Sequence, residues 1–363
     1  MANVTATIQR WYEWNLERSY QTRYHVTGDP GDSLNHIMTT HLLETVPRSD
    51  NNESLNESAE DSHSLEEMKR YAHNFSLPWH YNRIALDDLR KELENGIAAW
   101  EDAIVTQENT KANTSLHYAI GNGRTPITQK IYKILPKKSP FTVNRFGTCS
   151  VVGNGGILIN GSCGNVIDKS EFVFRCNLAT IGEYARDVGR KTNLTSINKL
   201  ILRQRYGGLK GQENVLQFQL DMAEYPGLLW LPAFANHQCL EDCYRAREEI
   251  NSGVNEIVFG NPNHFLQVSR YWRKKYNLRR LLTTGFYLVN VALALCEETH
   301  LFGFWPFLQN PNEETLKFHY YDDMHFEKAK LIHSFPIEFK ILHDLHQNGV
   351  LQLHVDTCYD GRR

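Results

Sequence analysis

After residue 148, short apolar runs alternate regularly with segments of helical periodicity, and this alternation leaves few folds open. Short strands separated by helices are typical of a parallel sheet whose crossover helices cover its faces. Seven runs are predicted as strands: 149–152, 171–175, 193–197, 227–231, 255–259, 300–303 and 351–355. The sequence therefore predicts an α/β fold, with one Rossmann-like catalytic domain over 141–363.

The residues before this domain have a different composition. Residues 48–70 are rich in Ser, Asn, Glu and Asp, so burial of apolar surface cannot offset the entropy lost on ordering. We predict a largely disordered, glycosylated stem over 1–75. A helical and basic lead-in follows over 76–140, in which apolar residues recur with the period of an amphipathic helix across 79–100. Lysines between 130 and 138 form either a solvated face or, less often, an approach for anions.

The segment 149–177 joins the first two predicted strands and contains three cysteines and several glycines. Gly153-Asn154-Gly155-Gly156 follows the first strand, where glycines let a ligand approach the backbone and free N–H groups can bind phosphate. The spacing is not that of a dinucleotide fingerprint, so a tight turn explains it equally well. Asn154 and Asn177 each follow an apolar strand, and side chains at the carboxyl ends of parallel strands can reach a nucleotide.

Two later regions contain residues suited to chemistry. Leu281–Leu295 is predicted as a helix, and Thr283-Thr284-Gly285 at its start could bind an anion or simply cap the helix. His319, in the sequence HYYD, and His333, five residues before Glu338, are candidates because histidine titrates near neutral pH. One histidine among sixteen is usually structural, and spacing alone does not decide between His319 and His333.

Composition argues against some classes of protein. The formal net charge of −3 argues against a dedicated nucleic-acid binder, which usually carries a basic excess. No apolar run is long enough to span a bilayer, and the sequence MANVTATIQRWYEWN does not resemble a signal peptide. The density of N-x-S/T sequons nevertheless favours a lumenal or secreted protein. The sequons are those of Asn3, Asn52, Asn56, Asn74, Asn113, Asn160 and Asn193.

Two rival functional classes remain at this point. A non-enzymatic glycan-binding module would account for the sequons but not for two histidine motifs together with a glycine turn. A cytosolic dinucleotide-dependent oxidoreductase would account for the turn, but it needs an acidic residue about 20 residues further on to bind the ribose. Glu171 and Glu183 are the candidates for that residue, and both are poorly placed.

The order of four motifs decides between these classes. The sequence has VGNGGIL, FRCN and DVGRKT within 149–194, TTG, CEE and GFW within 281–305, HYYD, and finally His-x4-Glu. These resemble the large, small, third and very small motifs of the animal sialyltransferases, in particular the α-2,8-sialyltransferase group. The resemblance implies inverting transfer of sialic acid from CMP-sialic acid to a glycan hydroxyl. It also implies a nucleotide-sugar transferase fold, a GT-A variant with a mostly parallel seven-stranded sheet flanked by helices.

The resemblance also implies donor-binding residues. Asn154 and Asn177 would bind the ribose and phosphate of CMP, and Trp305 would pack beside the nucleotide. Thr283-Thr284-Gly285 would contact the cytidine or the sialic acid carboxylate, although the family usually has Ser-Thr-Gly there. No cofactor or metal is expected, in keeping with the lack of an Asp-x-Asp pair. Hydroxyls, N–H groups and histidine would then meet the charge of the phosphate.

Catalysis is assigned to histidine by the same resemblance. His319 would hydrogen-bond the phosphate of CMP and support its departure. His333 would be the general base that takes the proton from the acceptor hydroxyl. Glu338 would either orient a histidine or cap a helix.

The family pattern further implies two disulfides, Cys149–Cys296 and Cys163–Cys358, each closing a loop long enough to add considerable stability. Cys176 would stay free and buried. Cys239 and Cys243 lie outside the pattern, and they are either free or joined by a short-loop bridge.

Location and acceptor are expectations from the family as well. Its members lie in the Golgi membrane with a lumenal catalytic domain and an N-terminal anchor, which this sequence does not display. The acceptor would be a sialylated glycolipid or glycoprotein, and the cationic segment 270–280 is either a rim that attracts it or a solvated helix. Only 130–145 is basic before the large motif, which favours mono- or oligosialylation, as in ganglioside synthesis, over polysialylation. No nucleic-acid partner is expected, and homodimerisation is left open.

Overall fold

The computed structural model of the protein describes five stretches of chain: 57–75, 77–141, 146–250, 255–322 and 333–358. The α-helices are α1 (Glu57–Phe75), α2 (Arg83–Glu94), α3 (Gln129–Ile134), α4 (Gly164–Lys169), α5 (Ala185–Val188), α6 (Lys199–Gln204), α7 (Gln212–Met222), α8 (His237–Glu249), α9 (Pro262–Tyr276), α10 (Thr284–Leu295) and α11 (Phe335–Gln347). The strands are β1 (Ser115–His117), β2 (Arg124–Pro126), β3 (Phe146–Val152), β4 (Phe172–Arg175), β5 (Leu194–Ser196), β6 (Gly227–Leu231), β7 (Asn255–Phe259), β8 (Cys296–Phe302) and β9 (Gln352–His354). Short 3-10 helices cover Trp100–Ala103, Gly156–Leu158, Gly182–Tyr184 and Gly207–Leu209.

Strands β3 to β9 form one parallel sheet in the order β7-β6-β5-β4-β3-β8-β9. The chain runs outward from β3 to β7, then returns to pair β8 with the other side of β3. The order therefore reverses at β3, and in open α/β sheets ligands bind beyond the carboxyl ends of the strands at such a point. All seven predicted strands are confirmed, and so is the predicted α/β fold with its parallel seven-stranded sheet.

Helix α10 covers part of one face of this sheet. Every residue from Phe286 to Leu295 is buried, as expected for a helix that is apolar all round. The helix packs against β3 and β8 and also contacts α2 and α9. It begins where the Thr283 side chain accepts a hydrogen bond from Phe286 N at 3.0 Å. The prediction of a helix over 281–295 is confirmed from residue 284 onward.

Two disulfides tie distant parts of the domain together, and both are the predicted ones. Cys149–Cys296 joins the neighbouring strands β3 and β8 across a sequence separation of 147, and Cys163–Cys358 spans 195. Cys176 is free and buried, as predicted. Cys239 and Cys243, whose state the sequence left open, are free buried thiols on α8.

The amino-terminal part of the described chain corrects one prediction. The sequence predicts disorder over 48–70, but α1 is a helix, and its Met68 and Tyr71 side chains are only 1% and 6% exposed. The Tyr71 ring lies 5.1 Å from that of Phe339, edge to face. A few side chains thus anchor a polar helix to aromatic residues far along the chain. The predicted stem over 1–75 is wrong for 57–75, and residues 48–56 lie outside the described stretches.

The predicted lead-in helix is shorter than expected. The apolar periodicity across 79–100 corresponds to α2, which is capped by Asn82, whose side chain accepts from Ala85 N at 3.1 Å. Arg90 is buried, and its Nε donates to Leu293 O at 2.8 Å, which docks α2 onto α10. None of the described helices combines the length and the apolar character that crossing a bilayer requires.

Candidate active site

The glycine turn after β3 is shaped by close backbone contacts. Gly153 N donates to Phe302 O at 2.7 Å, and Gly155 N donates to Gly303 O at 3.0 Å. A Cβ on Gly155 would lie 2.7 Å from Gly303 O, and one on Gly156 would overlap Lys317 O. The glycines are therefore needed for the turn itself, whether or not it contacts a ligand.

Asn154 is the residue of this turn whose side chain is incompletely paired. Its Nδ2 lies 3.4 Å from the Tyr321 hydroxyl, and its backbone O accepts from Tyr320 N at 2.9 Å. Its Oδ1 is buried and has no hydrogen-bond partner among the described residues. A buried acceptor left unpaired costs about 1–3 kcal/mol, unless a ligand donor pairs with it. The amide of Asn154 is thus suited to hold a polar ligand at the carboxyl end of β3.

Asn177 occupies the corresponding place after β4. It and Leu178 adopt positive φ angles of 58° and 48°, an uncommon conformation for residues other than glycine. Asn177 N donates to Ser196 Oγ at 3.1 Å, and the Tyr320 hydroxyl donates to Thr180 O at 2.8 Å. Contacts from β5 and from the HYYD segment therefore hold this turn in its conformation.

The start of α10 is held by a buried carboxyl group. Thr283 N donates to Glu338 Oε1 at 2.8 Å, and Thr283 Oγ1 lies 2.6 Å from Glu338 Oε2. The Glu338 side chain is buried, and burial raises its pKa to about 7, although the two hydrogen bonds oppose this. Of the two roles that the sequence left open for Glu338, these contacts favour the one at a helix start. Thr284 is the first helical residue after this contact.

The two candidate histidines are both oriented through Nδ1. His319 Nδ1 lies 3.0 Å from Asp322 Oδ1, and its ring stacks on Tyr321 with centroids 5.4 Å apart. His333 Nδ1 lies 2.9 Å from Leu281 O. A carbonyl oxygen only accepts, so Nδ1 of His333 donates, and Nε2 carries the lone pair in the neutral ring. Burial lowers the pKa of His333, which favours that neutral form.

Most of the predicted residues converge at one edge of the sheet. Gly155 and His319 form a backbone bridge, so the HYYD segment lies along the glycine turn. A Cβ on Gly285, in the first turn of α10, would lie 3.5 Å from the Sγ of Cys176, the residue before Asn177. The ends of β3 and β4, the start of α10 and the HYYD segment therefore border the same region.

Trp305 differs from the other predicted donor residues. Its ring is 5% exposed, contacts Phe75, Phe307 and Phe339, and donates its N–H to Gln309 O at 2.7 Å. The preceding Phe304 instead packs beside the glycines of the turn and of α10. Sequence reasoning missed Phe304, because adjacent aromatic residues in a loop give no signal of which one faces the site. The contact predicted for Trp305 stays a prediction.

The structure distinguishes the predicted glycosylation sequons. Asn113 and Asn160 are exposed and adopt positive φ angles of 63° and 62° in turns. Asn74 Nδ2 lies 3.1 Å from the Nε2 of His343, and Asn193 Oδ1 accepts a backbone N–H of β4 at 2.9 Å. Asn3, Asn52 and Asn56 lie outside the described residues. Glycosylation stays a prediction at every sequon.

Glu171, one of the two acidic residues considered for a dinucleotide ribose, does not lie at this edge. Glu171 Oε2 accepts from Gly147 N at 2.6 Å, at the amino end of β3 and opposite to the glycine turn. Within the described stretches no three His, Cys, Asp or Glu side chains form a group suited to a metal ion. Whether the reaction needs a metal stays a prediction.

A parallel sheet with an incompletely paired asparagine at its switch point and His319 beside it is suited to bind a nucleotide. Comparison with known proteins narrows the class of protein. The family model described as glycosyltransferase family 29 (sialyltransferase) matches residues 100–350. The chain belongs to this family, so it is an enzyme that transfers sialic acid from CMP-sialic acid to a glycan.

Individual relatives agree with the family match. The chain is 35% identical over 286 residues to alpha-2,8-sialyltransferase 8F of Mus musculus, covering 77% of this chain and 71% of the relative. It is 36% identical over 285 residues to alpha-2,8-sialyltransferase 8E of Homo sapiens, covering 77% and 75%. A crystal structure of a mammalian sialyltransferase is 18% identical, with a TM-score of 0.41, and the match covers 80% of this chain and 86% of that one. The fold is established by the sheet order of this protein itself.

Proposed function

We propose that this sialyltransferase forms an α-2,8 linkage to the terminal sialic acid of a glycolipid or glycoprotein, with His333 as the general base. The observation that carries the proposal is the contact of His333 Nδ1 with Leu281 O, two residues before Thr283. Leu281 belongs to the loop that leads into α10, and its carbonyl oxygen orients the His333 ring. The names of the two relatives support the α-2,8 linkage.

In this mechanism Nε2 of His333 takes the proton from the acceptor hydroxyl, whose oxygen attacks the anomeric carbon of the donor. The attack comes from the face opposite to the phosphate. The bond between that carbon and the phosphate oxygen breaks, its electron pair leaves with CMP, and the configuration therefore inverts. His319, held by Asp322, supports the departing phosphate. A positioned base typically contributes about 10²–10⁴-fold to the rate. No step requires a metal ion.

A sialylated acceptor is anionic, and the loop beside His333 carries exposed cations. Arg279 and Arg280 directly precede Leu281, and both side chains are exposed. Within α9, Trp272 is buried and Lys275 pairs with Glu92 at 2.8 Å, whereas Arg273 and Lys274 are exposed. The exposed cations of segment 270–280, including Arg279 and Arg280 next to Leu281, are therefore suited to attract the acceptor.

The cellular setting of the proposal follows the family. We infer a Golgi membrane protein whose catalytic domain lies in the lumen. The two disulfides would be stable in that oxidising compartment. Mono- or oligosialylation is favoured over polysialylation, because two of the lysines before β3 pair with acidic residues of the protein itself. Lys130 pairs with Glu248, and Lys138 pairs with Glu108. Homodimerisation remains part of the proposal without a supporting contact.

The proposal is tested by incubating the purified protein with CMP-sialic acid and with acceptors that end in sialic acid or in galactose. Transfer only to the sialylated acceptors, with an α-2,8 linkage in the product by NMR, is expected. His333→Gln should lower kcat about 10²–10⁴-fold without weakening CMP binding. The control, His237→Gln, changes an exposed histidine on α8 and should be fully active. Full activity of His333→Gln would overturn the proposed base, and transfer to galactose alone would overturn the linkage.

A further inference from the structure

Arg205 lies beside the turn that carries Asn177. The residue follows the last turn of α6, and its Nη1 donates to Leu178 O at 3.1 Å. The Tyr225 hydroxyl lies 3.3 Å from the same carbonyl oxygen. The guanidinium group is therefore held at the carboxyl end of β4, next to one of the two predicted donor asparagines.

The turn that Arg205 contacts is joined to the other predicted donor asparagine through Tyr320. The Tyr320 hydroxyl donates to Thr180 O at 2.8 Å, two residues after Leu178, and Tyr320 N donates to Asn154 O at 2.9 Å. Arg205 therefore contacts a turn that is hydrogen-bonded, through Tyr320, to the end of β3, where the order of the sheet reverses.

Among the described residues no carboxylate lies within 4.0 Å of Arg205, in contrast to Arg203 of α6. Arg203, two positions earlier, has its Nε 2.6 Å from Asp242 Oδ2. The Arg205 side chain is nevertheless accessible, and its closest ring contact is the face of Tyr206, 5.9 Å away. The fold thus presents an unneutralised cation at the edge of the sheet where a nucleotide is expected.

We propose that Arg205 is a donor-binding residue whose guanidinium group contacts the phosphate of CMP-sialic acid. This inference rests on the proposed donor site between Asn154 and Asn177. A planar guanidinium group matches the oxygens of a phosphate in geometry as well as charge. The phosphate gains a second negative charge when CMP departs, so Arg205 stabilises the leaving group more than the bound donor.

The test compares the binding of cytidine, CMP and CMP-sialic acid by calorimetry. Arg205→Gln should weaken CMP about 10- to 100-fold, the range for losing a hydrogen bond to a charged group, and should leave cytidine unchanged. Arg205→Lys should retain part of the CMP affinity. Lys210→Gln removes an exposed positive charge nearby and should bind all three ligands like the wild type.

Three results would overturn the inference. Unchanged CMP affinity in Arg205→Gln would show that Arg205 does not contact the phosphate. Equal loss for cytidine and CMP would mean that Arg205 only maintains the turn at Leu178. If Arg205→Gln bound CMP normally but bound CMP-sialic acid more weakly, Arg205 would contact the sialic acid carboxylate instead of the phosphate. If instead the wild type bound no CMP, the donor site itself would be wrong, which separates failure of the proposed function from failure of the Arg205 contact.

Discussion

Replacing Glu338 by Gln should alter how folding stability depends on pH. The Glu338 side chain is 4% exposed and contacts the backbone and hydroxyl of Thr283 at 2.8 and 2.6 Å. Its burial raises the carboxyl pKa from 4.5 to about 7. Glutamine has nearly the same shape and can keep contacts with Thr283, but it has no charge. The variant therefore mimics the protonated acid at every pH.

The magnitude follows from proton linkage. Between pH 4.5 and about pH 7 the folded protein keeps the proton of Glu338, whereas the unfolded chain has lost it. The free energy of unfolding therefore falls by about 1.4 kcal/mol per pH unit in this window, or about 3 kcal/mol in all. This contribution is complete below pH 4.5 and is lost as the pH rises through 7. Glu338→Gln should match the wild type near pH 4.5 and be about 3 kcal/mol more stable at pH 8.

The assay is denaturant unfolding of both proteins from pH 5 to pH 8 with the disulfides intact. The difference between their unfolding free energies cancels the contributions of all other groups, so it isolates Glu338. Glu256→Gln, which changes an exposed glutamate on β7, should show no comparable trend with pH. A constant difference between Glu338→Gln and the wild type across this range would refute the reasoning.

Two further predictions concern the turn and the second disulfide. Gly156→Ala should lower the free energy of unfolding by about 1–3 kcal/mol, because its Cβ would overlap Lys317 O. Gly96→Ala, where nothing lies within 4 Å of the added atom, is the control, and equal melting temperatures for the two variants would contradict the tight turn. Replacing both Cys163 and Cys358 by alanine should cost up to about 5 kcal/mol, since the bridge spans 195 residues. An unchanged denaturation midpoint would show that this bridge does not constrain the unfolded chain.

The sheet could be predicted from the sequence because its strands are covered on both faces. A strand such as β4, in which Phe172, Val173 and Phe174 are all buried, gives a continuous apolar run rather than an alternating one. The start of β8 was missed, since Glu297 and Glu298 interrupt its apolar pattern where the strand is only partly buried. The choice of His333 as the base came from the resemblance to a family, because periodicity does not distinguish one histidine from another.

The contacts that organise the site could not be predicted, because they join residues that are distant in sequence. Glu338 and Thr283 are 55 positions apart, and no local pattern connects them. Helix α1 was missed for a similar reason, since its anchor Tyr71 packs against Phe339 at the other end of the chain. The sequence does not distinguish Arg205 from the other cations near a short helix, because its contact with Leu178 O depends on the fold.

The bridge between β3 and β8 has a consequence for biosynthesis. A ribosome adds about 5–20 residues per second, so the 147 positions between Cys149 and Cys296 take roughly 7–30 s to make. Cys149, Cys163 and Cys176 are therefore all in the chain before either native partner, Cys296 or Cys358, has been synthesised. Strand β3 meanwhile lacks β8, its neighbour on one side, and the three thiols can form non-native pairs. Native pairing then requires that these thiols stay reduced, or that non-native disulfides exchange once Cys296 and Cys358 have been made.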